Sequence, residues 1–243
     1  MAAMRVVSLV PSLTELVWAL DPGALAGRTR FCTEPREMAA RVPAFGGTKD
    51  PDIAGIAALR PDLVVANREE NRREDVEALE ARGLRVMVTV IDSVEEALGA
   101  IAEIGRALGR AAEAAALTAG VREVLAEPLP GPPVRVFVPI WRKPLLGLGG
   151  RTYGSSVLEA AGAVNVLAGR ERYPEVTLEE AAALRPELVL LPDEPYRFRE
   201  GHAAEFAAVA PARLVDGKLL WWYGPRMAAS LRELRRLLAG VRA

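Results

Sequence analysis

Short apolar runs rich in β-branched residues alternate along the first part of the chain with stretches whose apolar residues recur at helical spacing. The runs RVVSLV (5–10), DLVVAN (62–67) and LRVMVTV (84–90) predict buried strands. The stretches PSLTELVWAL (11–20) and NRREDVEALEARG (71–83) predict helices, the second closed by its final glycine. Because strands alternate with helices, we expect an α/β fold with a parallel sheet covered on both faces.

The start of the first helix carries a capping signal. Ser12 and Glu15 have the spacing of a capping box, which predicts that Ser12 is the N-cap residue of the helix. Trp18 lies on the apolar face of the same helix, so we expect its ring to pack in the core.

The alternation restarts in the second half of the chain. VRVFVPI (134–140) predicts a strand, and five further elements follow it. They are a helix over 153–163, a strand over 187–192, a helix over 201–209, a last strand across a turn within 213–220, and a terminal amphipathic helix over 225–241.

A nine-residue segment occurs twice with small changes, and the two copies lie about half the chain length apart. AALRPDLVV (57–65) recurs as AALRPELVL (182–190), and the match extends upstream so that 51–66 can be laid on 174–191. Since the residue before a proline avoids the right-handed helical region, each copy predicts a short helix, a stop and a buried strand. A repeat at this distance predicts two similar lobes.

The middle of the chain has no strand signal. Residues 93–127 follow a helical pattern, and Arg110–Ala126 is rich in alanine, so we expect a helix of about 25 Å there. The proline-rich segment 128–133 ends it. We therefore expect an N-terminal lobe over 1–107, a connecting helix and proline-rich turn over 108–133, and a C-terminal lobe over 134–243.

Composition narrows the classes of function. The chain is 51% hydrophobic and 26% charged, which favours a globular core, and its net charge of −1 argues against nucleic acid as a partner. It has no apolar run long enough for membrane insertion. MAAMR leads directly into VVSLV without room for a secretory signal. We expect a cytoplasmic chain as given, or a periplasmic or cell-surface one if a leader was removed.

Few residues are suited to metal or nucleophilic chemistry. Cys32 is the only cysteine, which excludes an internal disulfide and a multi-cysteine zinc site, and His202 is the only histidine. The glycine-rich segments FGGTKD (45–50) and GLGGRTYG (147–154) match neither nucleotide-binding motif, so we interpret them as turns or close backbone approaches. We expect no catalytic residue, no metal ligand and no intrinsic cofactor.

Several aromatic residues lie in predicted loops rather than on core faces. Loops at the carboxyl ends of strands hold ligands in open α/β sheets, and aromatic faces bury much area at small entropic cost. Loop aromatics from both halves are suited to clasping a large flat ligand, and the alternative is that they plug the interface between lobes. They are Phe31, Phe45, Trp141, Tyr153, Trp221, Trp222 and Tyr223.

Arginines in the same loops offer a second kind of contact. Their guanidinium groups suit acidic groups on a ligand, and the alternative is ordinary solvated surface charge. They are Arg28, Arg30, Arg142 and Arg226.

The order and spacing of these motifs resemble a known family. RVVSLVPSLTELVWAL, LAGRTRFCTEP, VPAFGGTKDPDIAGIAALRPDLVVA, VFVPIWRKP, GGRTYGSSVLEAAGAVNVLA and RYPEVTLEEAAALRPELVLLPDEPYRF together resemble the substrate-binding proteins of ABC importers for vitamin B12, ferric siderophores and haem. The resemblance covers nearly the whole chain and is closest to vitamin B12-binding proteins. It implies two Rossmann-like lobes joined by a single long α-helix, as in class III periplasmic binding proteins, with the ligand between the lobes.

The resemblance also implies a ligand-binding set. Pro11 and Ser12 fall on a first-lobe loop under the ligand, Phe31 falls where cobalamin binders have a stacking Tyr, and Phe45 falls at their Trp. Because haem-binding relatives use a Tyr ligand, Phe31 argues against haem. The full expected set is Pro11, Ser12, Arg30, Phe31, Phe45, Trp141, Tyr153, Trp221, Trp222 and Arg226.

The chain departs from the family at the permease-docking positions. Family members dock through a Glu on each lobe, and the resemblance places these near Ala54, with Asp50 and Asp52 close by, and near Trp221. This chain has no Glu at either place.

We expect a monomeric, non-enzymatic protein that binds cobalamin or another small-molecule metal chelate, with an ABC permease as the implied partner. Two alternatives stay open. One is a ferric-siderophore or haem binder that uses the loop arginines. The other is a cytosolic enzyme or metallochaperone that handles a tetrapyrrole.

Overall fold

Residues 4–129 and 131–241 are described by the structure, a computed structural model. The chain forms two compact units. Unit 1 comprises the residues up to Ile91 together with Glu95–Gly120 and Tyr223–Pro225. Unit 2 comprises Asp92–Val94, Val121–Trp222 and the residues from Arg226 onward. No helix in the described part of the chain is long and apolar enough to cross a membrane.

Unit 1 is built on a four-stranded parallel sheet. Its strands are β1 (Val6–Ser8), β2 (Leu25–Arg28), β3 (Leu63–Asn67) and β4 (Val86–Thr89), in the order β2-β1-β3-β4. Its core includes Val7, Leu9, Ile56, Val64, Ala66 and Leu79.

Helices follow these strands, and the apolar pattern predicts all of them but the second. They are α1 (Pro11–Leu20), α2 (Arg36–Arg41), α3 (Ile53–Leu59), α4 (Arg73–Glu80), α5 (Val94–Ala107) and α6 (Ala111–Ala126). The boundary between the units falls within α6, between Gly120 and Val121. That this helix is the single connection between two lobes, with the boundaries expected at 107 and 134, stays a prediction.

The first helix begins earlier than its capping signal predicts. Val10 is the N-cap residue, Pro11 is the first helical residue, and Ser12 lies inside the first turn, so the predicted Ser12 cap is wrong. Proline is favoured at this first position, because its missing N–H would have no partner there and its φ angle is already helical. Trp18 is only partly buried, with the Arg41 guanidinium 5.4 Å from its ring centre, so the expected core position is also wrong.

Unit 2 contains a second four-stranded parallel sheet and a short antiparallel hairpin. The sheet strands are β5 (Val134–Phe137), β8 (Ala163–Asn165), β9 (Leu188–Pro192) and β10 (Ala212–Val215), in the order β10-β9-β5-β8. The hairpin pairs β6 (Pro139–Trp141) with β7 (Leu146–Gly147). The helices are α7 (Tyr153–Ala160), α8 (Leu178–Ala183), α9 (Glu200–Ala203), α10 (Lys218–Trp221) and α11 (Met227–Ala239), with a 3-10 turn over Ala204–Phe206.

The predicted strand within 213–220 is wrong in its second half. Strand β10 ends at Val215, and the chain turns at once into α10. Asp216 Oδ1 accepts the Lys218 N–H at 2.9 Å, and Asp193 Oδ1 accepts the Gly217 N–H at 2.8 Å. These bonds satisfy backbone donors at the start of a helix, which a pattern of apolar residues does not show.

The two sheets have the same topology, which confirms the α/β fold of two similar lobes. In each, the first strand lies inside, the second flanks it at one edge, the third flanks it on the other side, and the fourth closes the far edge. The repeated segments therefore supply equivalent third strands, β3 and β9.

The repeated segments also make equivalent hydrogen bonds. Asp62 Oδ2 accepts the Arg5 N–H at 2.7 Å, and Glu187 Oε2 accepts the Arg135 N–H at 2.9 Å. Before each proline the chain adopts a left-handed conformation, with φ of 48° at Arg60 and 50° at Arg185. The acidic residue after each proline thus ties the third strand to the first.

Arg235 on α11 is a buried cation that joins the ends of two helices. Its Nη1 donates to the Val124 carbonyl at 2.6 Å near the end of α6, and its Nη2 donates to the Ala160 carbonyl at 3.1 Å at the end of α7. The last carbonyls of a helix have no partner within it, so a cation is well placed there.

Candidate functional site

The carboxyl end of the unit 1 sheet carries an exposed aromatic ring. Phe31, in the loop after β2, is 53% exposed. The Arg30 guanidinium lies 4.9 Å from its ring centre and pairs with Asp50 at 2.9 Å. The ring therefore has a cation at one side and a large apolar surface open to solvent.

The loop that carries Phe31 is fixed from below. Cys32 is fully buried, and its Sγ lies 3.0 Å from the Thr14 hydroxyl on α1 and 3.1 Å from the Thr29 hydroxyl. The lone cysteine therefore anchors this loop as a small buried side chain. The exposure of Phe31 follows from a constrained loop.

Two asparagines that the sequence did not single out organise the neighbouring loops. Asn67 is buried at the end of β3, and its Oδ1 accepts the Glu69 N–H at 2.9 Å. Asn71 donates from Nδ2 to the Thr48 carbonyl at 2.9 Å, and its Oδ1 accepts the Asn67 N–H. Asn71 therefore ties the loop over 45–50 to the end of β3, and Asn67 holds the turn that follows β3.

Three residues of unit 1 that the sequence predicts as ligand contacts differ in their exposure. Pro11 is partly exposed at the start of α1, whereas Ser12 is buried and hydrogen-bonded to Tyr223. Burial raises the pKa of the Tyr223 hydroxyl. Phe45 is partly exposed and packs on the core beneath β1 and β3. Ser12 therefore holds Tyr223 in place, and part of the Phe45 ring packs against the core of unit 1.

In unit 2 the exposed ring is Trp141, at the end of β6. It is 42% exposed and meets Tyr196 edge-on, with ring centres 5.5 Å apart. Tyr196 in turn contacts Phe198 at 4.8 Å, and Phe198 contacts the buried Phe206 at 6.0 Å. Aromatic rings in contact thus extend from Trp141 at the surface to Phe206 in the core, and the edge contact with Tyr196 holds the Trp141 ring in place.

The loop arginines are occupied by partners within their own units. Arg28 donates to the carbonyls of Val42 and Ala39 at 2.9 and 2.7 Å. Arg142 pairs with Glu205, which raises the pKa of the guanidinium and lowers that of the carboxyl, beside a cavity of about 320 Å³. These pairings reduce the positive charge available for an acidic ligand.

The remaining predicted aromatics of unit 2 lie mostly inside it. Tyr153, at the start of α7, is 7% exposed, and Trp222 is 8% exposed. Trp221 is partly exposed. The Arg226 guanidinium lies 5.0 Å from the Trp222 ring centre.

Glu194, in the loop after β9, was not found from the sequence. Trp222 Nε1 donates to its Oε1 at 2.8 Å, and Trp221 Nε1 donates to its carbonyl at 2.7 Å. Burial is the main cause that raises its pKa to about 7, against the lowering effect of Lys218 and of the Trp222 bond. Its partners lie 27 and 28 residues away, so no local motif marks it.

His202 is committed to the fold rather than to a metal. Its Nδ1 accepts the Arg199 N–H at 3.1 Å, which requires the proton on Nε2, and its ring packs against Tyr196 and Phe198. A neutral imidazole in this tautomer has no lone pair left for a metal. Within residues 4–129 and 131–241, no group of three or more His, Cys, Asp or Glu residues is arranged to hold a metal ion.

The glycine-rich segment over 147–154 packs closely against a neighbouring stretch of backbone. Gly149 N–H donates to the Arg172 carbonyl at 2.6 Å, and Gly150 N–H donates to the Arg170 carbonyl at 2.7 Å. A side chain at Gly150 would overlap the Ala168 carbonyl. Close backbone approach therefore explains these glycines.

The internal repeat also locates the residue equivalent to Ala54. Ala54 is the second residue of α3, and the second residue of α8 is Glu179, which is exposed. Both lie seven positions before the repeated proline. The equivalent position in unit 2 thus carries a Glu, whereas the placement of the second docking position near Trp221 stays a prediction.

Comparison with known proteins gives consistent matches. Residues 6–199 match the family described as periplasmic binding protein. The vitamin B12-binding protein of Yersinia pestis (strain Pestoides F) is 27% identical over 195 residues, which are 78% of this chain and 70% of that protein.

Two solved structures have the same fold over nearly the whole chain. The periplasmic heme-binding protein BhuT, in complex with two hemes, is 28% identical with a TM-score of 0.84 and full coverage of both chains. A periplasmic heme-binding protein from Pseudomonas aeruginosa is 27% identical with a TM-score of 0.82, covering 98% of this chain and 93% of the other.

Proposed function

Because the chain belongs to the periplasmic binding protein family, we propose that it is a non-enzymatic binding protein for a corrinoid such as cobalamin. The observation that carries this proposal is an exposed ring in each unit, Phe31 in the loop after β2 and Trp141 at the end of the hairpin strand that follows β5. A corrinoid offers broad apolar surface with amide edges, and aromatic rings bury such surface well.

The donors available favour a chelate that brings its own metal ligands. Haem iron is held in proteins by His, Cys, Met or Tyr. His202 has its Nε2 protonated, Cys32 is fully buried, and Phe31 has no hydroxyl. One phenol lies close to the exposed Trp141 ring, that of the partly exposed Tyr196. Its hydroxyl is already hydrogen-bonded to Arg142.

Haem is the second candidate, since BhuT and the Pseudomonas aeruginosa relative are named heme-binding proteins. A ferric siderophore is less favoured, because Arg30 and Arg142 already pair with Asp50 and Glu205. An absorbance titration with cyanocobalamin, hemin and a ferric catecholate siderophore separates the three. We expect saturable spectral change with cyanocobalamin. Saturation with hemin alone, with a shifted Soret band, would overturn the corrinoid assignment.

We further propose that the protein delivers its ligand to an ABC permease on the outer side of the cytoplasmic membrane. This rests on the family, and Glu179 in unit 2 supports it as an exposed carboxylate at the repeated position, where unit 1 has Ala54. Fractionation of cells that express the full gene, with an antibody to this protein, tests the location. Recovery only with cytosolic markers would contradict it.

A further inference from the structure

The side chains of two adjacent tryptophans are tied to one residue. Trp221 Nε1 donates to the Glu194 carbonyl at 2.7 Å, and Trp222 Nε1 donates to the Glu194 carboxylate at 2.8 Å. A tryptophan side chain has a single hydrogen-bond donor, the indole N–H, so the only side-chain donor of each tryptophan is bonded to Glu194.

The Trp221 ring is held from a second side. Gly154, in the first turn of α7, faces it so closely that a side chain at this position would overlap Cζ3 of the indole. Glu194 follows β9, Trp221 follows β10 and Gly154 begins α7, so all three lie at the carboxyl end of the unit 2 sheet. This is the edge where open α/β sheets hold ligands. The part of Trp221 that stays exposed is therefore presented at that edge in a fixed orientation.

The Trp222 ring, on the next residue of the chain, is mostly buried. The ring is 8% exposed, and two cations approach it, with Arg226 5.0 Å and Lys218 Nζ 5.8 Å from its centre. An indole N–H buried without a partner is unfavourable, so the position of Trp222 depends on the Glu194 carboxylate.

Three charged side chains act on Glu194. Asp193 belongs to the same loop, and Asp216 and Lys218 lie on the turn and helix after β10, while Arg226 contacts the Trp222 ring. Lys218 Nζ lies 3.3 Å from Asp216, so its charge is shared between two carboxylates. The Glu194 carboxyl titrates near neutral pH as a result of its burial.

We propose that Glu194 is a positioning residue that fixes Trp221 and Trp222 so that Trp221 meets the bound chelate. The inference rests on the proposed function, and it adds a residue that touches the tryptophans rather than the ligand. Replacement by Ala removes the Trp222 acceptor, whereas replacement by Gln keeps an acceptor oxygen and removes the titration.

The test compares Glu194→Ala, Glu194→Gln and the control Glu123→Gln, which alters an exposed glutamate on α6 of the same unit. Cyanocobalamin affinity is measured by calorimetry at one pH, with near-ultraviolet circular dichroism to confirm folding. We expect Glu194→Ala to bind about tenfold more weakly, and the other two variants to stay within about twofold of the wild type.

A second readout does not depend on ligand. Tryptophan emission of the wild type is expected to titrate with a midpoint near pH 7, and Glu194→Gln is expected to lose that midpoint while Glu123→Gln keeps it. Equal affinity of Glu194→Ala and wild type, or an unchanged midpoint in Glu194→Gln, overturns the positioning role and leaves the proposed function standing. A wild type that binds neither cyanocobalamin nor hemin overturns the proposed function itself, and the positioning role falls with it.

Discussion

Phe31 is the residue whose removal should most directly weaken binding. Its ring is 53% exposed, so Phe31→Ala removes the proposed ligand contact with little loss of core packing. Loss of stacking and of buried area predicts a cost of about 1.5–3 kcal/mol, or about a tenfold to hundredfold loss of affinity. Calorimetric titration with cyanocobalamin measures it. Val88→Ala, at an exposed position on β4, is the matched control, and an unchanged affinity for Phe31→Ala would place the ligand elsewhere.

Glu194 should make stability depend on pH near neutrality. Its pKa is raised to about 7 in the folded protein from 4.5, so the folded state holds a proton that the unfolded state has lost between these values. Stability therefore falls as pH rises through this window and is level above it. We expect the Tm of the wild type, relative to Glu194→Gln, to fall between pH 5 and pH 8. A constant difference would contradict the raised pKa.

The sequence predicts the positions of some site residues well and gives no sign of others. Trp141 was found because it directly follows a strand that the apolar pattern predicts over 134–140, and Phe31 because it lies outside any predicted helix or strand. Glu194 and Asn71 gain their roles from partners brought together by the fold, and their local sequence is that of an ordinary polar loop. The Ser12 cap failed because Pro11 takes the first helical position.

At the scale of elements, the buried Arg235 links α11 to the carboxyl-terminal ends of α6 and α7. Arg235→Met keeps much of the side-chain volume but leaves the carbonyls of Val124 and Ala160 without their donor. Because buried polar groups without partners are costly, we expect a loss of about 2–4 kcal/mol. Arg232→Ala breaks only an exposed pair with Glu127 and should cost at most about 1 kcal/mol. Urea unfolding of the two variants compares them, and equal losses would contradict the capping role.

The repeated segments make a matched pair of sites in the two units. Arg60 and Arg185 both have positive φ, which costs an ordinary residue about 1 kcal/mol. Arg60→Gly and Arg185→Gly should therefore each change stability by less than about 1 kcal/mol and in the same direction, since relief of strain offsets the greater freedom of glycine when unfolded. Thermal melts of both variants test this. Opposite signs would show that the two segments are not energetically equivalent.

The elements themselves were predictable where one pattern dominates. Strands β3 and β9 are fully buried apolar runs preceded by a proline-bearing stop, and both appear where the sequence places them. Helix α10 was missed because its start depends on carboxylates of Asp193 and Asp216 rather than on apolar periodicity.

For the whole molecule, a net charge of −1 sets the expected response to salt. Cyanocobalamin is neutral overall and should meet mainly apolar rings, so its affinity should change less than about twofold between low and high salt. An anionic ferric siderophore bound through arginines would lose affinity steeply over the same range. Calorimetry at two sodium chloride concentrations distinguishes these, and a steep loss for cyanocobalamin would show that charged contacts dominate.

Unit 1 is completed by a segment from near the end of the chain. Tyr223 is 7% exposed and hydrogen-bonded to Ser12 on α1, and Gly224 lies against Leu16 of the same helix. Domains of many proteins fold in order as they leave the ribosome. Here the N-terminal part cannot reach its final packing until residue 225 has been synthesised, by which time residues 121–222 of unit 2 have been synthesised as well. Strictly vectorial folding is thus excluded for this chain, because the unit that is translated first stays incomplete until only the final helix of the other unit remains to be made.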